Sequence, residues 1–130
     1  YARTTAPLRP STATNWMWLL IDADQNPATG WVGYDFIINR KRDADGKFWL
    51  EKNTGGWSWK KVEPVTWRAK GNELELAIPR AALGMKAGET RTAIDFKWAD
   101  NLQQPGNVMD FYVSGDVAPA GRFNFRYLAD

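Results

Sequence analysis

The sequence predicts an all-β protein, built as an antiparallel β-sandwich with one short helical turn. Three observations carry that prediction. Short segments alternate apolar and polar residues with the two-residue period of a half-buried strand. Turn-forming pairs such as Asp-Gly, Gly-Gly and Gly-Asn fall between those segments. A single stretch, "PRAALG", reads as helix, and it is one turn long.

The elements follow in order. "NWMWLLID" is apolar on both faces and reads as a central strand covered on both sides. "YDFIINR" alternates, with Tyr34, Phe36 and Ile38 on one face and Asp35, Ile37 and Asn39 on the other. "DADG" supplies the positive-φ positions of a hairpin turn. In "KFWLEKN", Phe48 and Leu50 point inward and Trp49 and Glu51 outward. "NTGGWSW" is a Gly-hinged loop leading into a strand with Trp57 and Trp59 on one face. "VTWRAKGNELELAI" is two strands about a Gly71-Asn72 turn, with Leu74, Leu76 and Ile78 as an apolar stripe. In "PRAALG", Pro opens the helical turn and Gly closes it. "TAIDFKWAD" sets Ile94, Phe96 and Trp98 against Asp95 and Lys97. "RFNFRYL" sets Phe123, Phe125 and Tyr127 inward and Asn124 and Arg126 outward.

Composition narrows the function classes. The 130 residues read as one domain, 1–130, cut from a longer protein. There is no Cys and no His, so thiol chemistry, disulfides, the usual zinc sites and histidine acid–base catalysis are absent. The formal charge is only +2, and the basic run Arg40-Lys41-Arg42 sits beside Asp43 and Asp45. No single-sign stripe emerges, which argues against nucleic acid; no apolar run approaches a membrane span. Eight Trp residues are many for a small domain, and Trp is a flat contact surface of low entropic cost as well as a core filler.

The succession "WLLIDAD…TGWVGYDFIIN", then "NELELAIPRAALG", then "IDFKWADN" resembles the family 9 carbohydrate-binding modules and their looser relatives. The resemblance implies a jelly-roll-like β-sandwich, often with structural calcium, that binds a polysaccharide or oligosaccharide through Trp and surrounding polar groups. It also implies attachment to a secreted glycoside hydrolase or lyase, an extracellular or periplasmic location, and further strands before Tyr1. A related branch binds haem, which the lack of His argues against.

Two constellations carry the chemistry. In the loop after the first strand, Asp22, Asp24 and Asn26 alternate and Asp35 returns from the next strand, an oxygen set suited to calcium. The spacing is not that of an EF-hand: counted from Asp22, Pro27 stands where Gly belongs and Gly33 where Glu belongs. The competing reading is a polar turn formed by Asn26-Pro27 and Thr29-Gly30.

The second constellation is aromatic and polar. Pyranose rings stack on Trp, and their hydroxyls need amide, carboxylate or guanidinium partners. Trp49 and Glu51 share the outward side with Asp35, Asn39, Asp95, Lys97 and Arg126, with Trp57 and Trp59 as a wall. Trp98 is inward by alternation, but it lies near a strand end where a site rim is a second possibility. The competing reading is a solvated face of cross-strand ion pairs. A coplanar, exposed Trp pair would favour sugar; a flat apolar patch would favour packing against a neighbouring domain. Asp35 and Glu51 are the carboxylates a glycosidase would need, but pairing with Lys97 or Arg126 is the favoured role. The expected protein is a binding module and not an enzyme.

Overall fold

The computed structural model describes residues 1–90 and 92–129. Among the described residues, ten strands form two antiparallel sheets. The small sheet has the order β1-β7-β6, from β1 (Ala2–Arg3), β7 (Glu73–Ala77) and β6 (Thr66–Lys70). The large sheet has the order β10-β8-β2-β3-β4-β5. Its strands are β2 (Trp18–Asp22), β3 (Phe36–Arg42), β4 (Phe48–Gly55), β5 (Ser58–Pro64), β8 (Thr92–Asp100) and β10 (Phe125–Ala129), and β9 (Asp116–Ala118) extends the β8 edge beyond β10. The all-β sandwich is therefore as the alternation predicts. The turn at Asp43–Gly46 closes with Gly46 N–H donating to the Asp43 carbonyl at 3.0 Å. The expected helical turn is a 3₁₀ segment, Arg80–Leu83, ended by Gly84 at φ 82°. A second 3₁₀ segment, Val108–Tyr112, has no periodic signal in the sequence.

One face of the large sheet packs on the small sheet. Leu19, Ile21, Phe36, Ile38 and Leu50 meet Val65 and Leu83, and Trp16 and Phe48 meet Leu74. The small sheet is too narrow to cover its partner. A cavity of about 490 Å³ therefore remains between the sheets, lined by Leu76, Ile78, Ile94, Phe96, Trp98 and Tyr127. This corrects the last strand: Phe123 is 77% exposed, and Phe125 and Tyr127 are about half exposed, although all three are expected inward.

The other face of the large sheet, which the alternation of β3, β4 and β8 reads as a polar face, is covered. Trp31 and Tyr34 from the β2–β3 loop and Leu102 and Phe111 from the β8–β9 segment pack on Trp18, Leu20, Ile37 and Ala99. Gly30 makes that loop possible: at φ 65° it brings its backbone so close to the Tyr34 carbonyl that a Cβ would sit 2.1 Å away. "Apolar on both faces" in β2 is thus literal, since all five of its residues are buried.

Candidate functional site

Covering that face changes the setting of most of the expected site residues. Glu51 is buried, and the Arg40 guanidinium donates to its two oxygens at 2.7 Å each. Lys97 is fully buried, and its ammonium donates to the Phe123 carbonyl at 2.8 Å and to the Pro119 carbonyl. It also lies 5.2 Å from the Phe111 ring centre. Burial first, and then the Arg122 charge, lower its pKa to about 8. Asn39 is buried too. The expectation that Glu51, Lys97 and Asn39 project to solvent is therefore corrected; the alternation holds, but loops without period lie over it.

Asp95 and Arg126 do form the cross-strand pair, at 2.7 and 2.8 Å. Trp49 is half-buried, its indole N–H held by Asp43 at 2.9 Å and its ring under the Lys61 ammonium at 4.7 Å. Trp57 and Trp59 lie edge to face at 85°, so they do not make a flat two-ring platform. Trp98 packs between the sheets beside the open cavity. Trp49, Trp98, Asp95, Lys97 and Arg126 are thus not gathered with Asn39 and Trp57, whereas Trp59 touches Trp57, their ring centres 5.4 Å apart.

What the structure does gather lies at the two ends of the β2–β3 pair. Leu19 is paired with Ile38, Leu20 with Ile37 and Ile21 with Phe36. Continued one residue each way, that register sets Asp22 opposite Asp35 and Trp18 opposite Asn39. All four fall on the loop-covered face, and the ends are about 13 Å apart along β2.

At the first end, Asp22, Asp24 and Asp35 bring one carboxylate oxygen each within 4.8 Å of the others. Asp22 is 6% exposed, and its Oδ1 has no hydrogen-bond partner. Burial, the adjoining Asp24 and the Asp35 charge raise its pKa to about 6. Asp35 is raised as well, chiefly by burial, although its Oδ2 accepts from the Ala23 N–H at 2.9 Å. Asn26 is not aimed at this cluster in the same way. Its Oδ1 accepts from Ala28 N–H and its own N–H binds Asp24, which makes it part of the turn. The loop is therefore a polar turn, and it also leaves a buried carboxylate oxygen beside two other carboxylates.

At the second end lies a groove of about 570 Å³. It is lined by the Ser11–Asn15 loop, by Arg40, Lys41 and Arg42, and by Trp18, Asn39 and Trp57 among others. Trp18 and Asn39 are almost fully buried, and each keeps an unpartnered polar atom, the indole Nε1 and the amide Oδ1. A buried donor or acceptor without a partner is uncommon and costs about 1–3 kcal/mol. Asn39 sits at φ 68° in a β-bulge, with its Nδ2 donating to the Met17 carbonyl at 2.8 Å. The sequence marks Asn39 and Trp57. It gives no sign of Trp18 as a site residue, since that residue stands in an unbroken apolar run.

Compared with protein-family models, with curated proteins and with solved structures, the chain finds no match. Among the described residues, no helix is long and apolar enough to cross a membrane.

Proposed function

We propose that the protein is a non-catalytic carbohydrate-binding module that takes a sugar unit in the groove formed by Trp18, Asn39, Trp57 and the Ser11–Asn15 loop. The single observation that carries this reading is the pair of buried, unpartnered polar atoms at the groove. A sugar hydroxyl both donates and accepts, so hydroxyls that displaced the atoms covering them would partner the Trp18 indole N–H and the Asn39 amide oxygen. The half-buried Trp57 ring offers a face for the sugar's C–H groups. The resemblance of the motif order to family 9 modules points the same way, and with it would come secretion and attachment to a polysaccharide-active enzyme.

Binding without turnover is supported by the state of the carboxylates. Glu51 has both oxygens engaged by Arg40, whereas a general acid needs a free carboxyl with a raised pKa. The carboxylates that are raised, Asp22 and Asp35, stand together at the far end of the strand pair. There they suit a hard cation. Calcium held by Asp22, Asp24 and Asp35 would give the orphaned Asp22 oxygen a partner and fix the β2–β3 loop.

The test is retention in affinity gels containing soluble plant, algal and bacterial polysaccharides, with assays for reducing ends and unsaturated products. Retention on at least one polymer, lost in Trp57→Leu and in Asn39→Ala while both variants melt cooperatively, is the expected outcome. Retention unchanged in both variants removes the groove from the reading. Product release that vanishes in Asp35→Asn or Glu51→Gln makes the protein an enzyme.

The exposed aromatic strip of Phe125 and Tyr127 on β10, with Phe123 just before it, favours a second reading. In it the module packs against a neighbouring domain and binds no sugar. Failure of every polysaccharide in the gels would favour it.

A further inference from the structure

We infer that the ligand of this groove carries an acidic substituent, a carboxylate or a sulfate, on the sugar bound there. The inference rests on the proposed sugar-binding role and names its substrate class. The whole chain is nearly neutral, but the groove is not. Three consecutive basic residues, Arg40, Lys41 and Arg42, line it, and among the described residues no Asp or Glu does.

These cations differ in how far they are already neutralised. Arg40 is held by Glu51 through its Nε and Nη2. Lys41 and Arg42 are exposed, and neither forms an ion pair within 4.0 Å among the described residues. Arg42 is nevertheless ordered: its Nε donates to the Gly46 carbonyl at 3.2 Å, and its guanidinium lies 5.6 Å from the Phe48 ring centre, another residue of the groove. The nearest acid in sequence, Asp43, is occupied by its own hairpin. It accepts from the Trp49 indole N–H and from the Lys47 and Asp45 backbone N–H groups. Two free cations on a β-bulge, beside a wall of Ser, Thr and Asn that carries no charge, form a surface matched to an anion. A guanidinium held by the Gly46 carbonyl and the Phe48 ring keeps its Nη donors for the oxygens of a carboxylate or sulfate. The unpartnered Trp18 and Asn39 atoms take the hydroxyls, and the cations at the mouth take the acid group.

The experiment compares retention on matched polymers: a polyuronate against its fully methyl-esterified form, and a sulfated galactan against its desulfated form. The wild-type chain is expected to bind at least one acidic polymer about ten-fold more tightly than its neutral partner, the size of one hydrogen bond to a charged group. That preference should shrink as salt rises, and the double variant Lys41→Gln, Arg42→Gln should lose most of it. The carboxylate and sulfate arms tell the two acids apart, and success in either supports the inference. Equal binding of acidic and neutral polymers, abolished by Trp57→Leu, overturns the acidic inference and leaves the sugar-binding reading standing. Acid-selective binding indifferent to Trp57→Leu places the contact outside the groove and overturns both. No binding to any polymer overturns both.

Discussion

Asp22→Asn should reverse its effect on stability when calcium is added. Asp22 is buried with one oxygen unpartnered and two carboxylates beside it. In metal-free protein near pH 7 its charge opposes folding. A rise from 3.8 to about 6 corresponds to roughly 3 kcal/mol. Asp24 next to it is exposed, so water screens the cluster, and we take about half of that, roughly 1–1.5 kcal/mol. Asparagine removes the charge and supplies an N–H for Asp24 or Asp35. At about 3–5 °C per kcal/mol for a chain of this length, Asp22→Asn should melt about 3–7 °C above wild type in chelator. A group whose folded pKa is raised gives its full stability below its unfolded pKa and loses it as pH rises through the folded one. The wild-type deficit should therefore open between pH 4 and pH 6. Calcium at a hundredfold over its Kd adds about 2.7 kcal/mol to a protein that binds it only when folded, or about 8–14 °C. Asn at position 22 should forfeit that gain and fall below wild type. The assay is calorimetry on metal-stripped protein with chelator or with added calcium. Wild-type curves that coincide in both, or a variant less stable than wild type even in chelator, refute the argument and leave the loop a polar turn.

Three further outcomes follow from the packing. Glu51→Gln should cost about 3 kcal/mol in urea denaturation, because it leaves the Arg40 guanidinium, whose side chain is 15% exposed, without its charge partner; a cost below about 0.5 kcal/mol would mark the pair as a surface one. Lys97, whose pKa is lowered to about 8, makes folding more favourable as pH rises from 8 towards its ordinary 10.5, so wild type should gain stability relative to Lys97→Met across that range, and a constant difference would show that the amine is not desolvated. Gly106→Ala would place a Cβ 2.9 Å from the Trp57 Cγ at a φ of 86°, so it should lower stability by about 1–3 kcal/mol and change the tryptophan fluorescence; an unchanged spectrum would mean that Trp57 is not held by that loop.

Period and turn chemistry read the strands well, because both act locally. The Asp43–Gly46 turn, the Gly71-Asn72 turn and the β8 alternation are set by residues within a few positions of one another. What covers a face is not local. Trp31, Tyr34, Leu102 and Phe111 lie in segments without period, yet they turn the side carrying Glu51 and Lys97 into a second core. The error at β10 is the converse: Phe125 and Tyr127 have the right period, but the small sheet is too narrow to reach them. At the candidate sites, the sequence shows the acids because Asp22, Asp24 and Asp35 are polar in an apolar setting. It hides Trp18, since one orphaned indole N–H within "WMWLLI" looks like any other core residue. The Asn39 bulge shifts the register between Ile38 and Arg42, and no alternation count anticipates where a bulge falls.

Backbone conformation marks the same two places independently of any side chain. Among the described residues six non-glycine residues have positive φ. Asn15, Met17, Asn39 and Asn101 belong to the groove end: Asn15 and Asn39 line the groove, Met17 accepts from Asn39, and the Asn101 N–H donates to the Asn15 carbonyl. Gln25 and Val32 lie in the loop that carries the acids. Asparagine tolerates the left-handed region, but methionine and valine do not, and each such residue costs on the order of 1–3 kcal/mol. The surroundings hold both in place. The Met17 N–H donates to Asp100 Oδ1 at 2.9 Å while its carbonyl accepts from Asn39. Val32 is bracketed by the two Trp31–Tyr34 backbone hydrogen bonds, at 2.9 Å each. Between these ends the β2–β3 ladder is regular and buried. Strain and orphaned polar atoms thus lie at both ends of the β2–β3 pair, and each costs stability. The proposed ligands, a cation at one end and a sugar at the other, would supply partners for the orphaned atoms at each end.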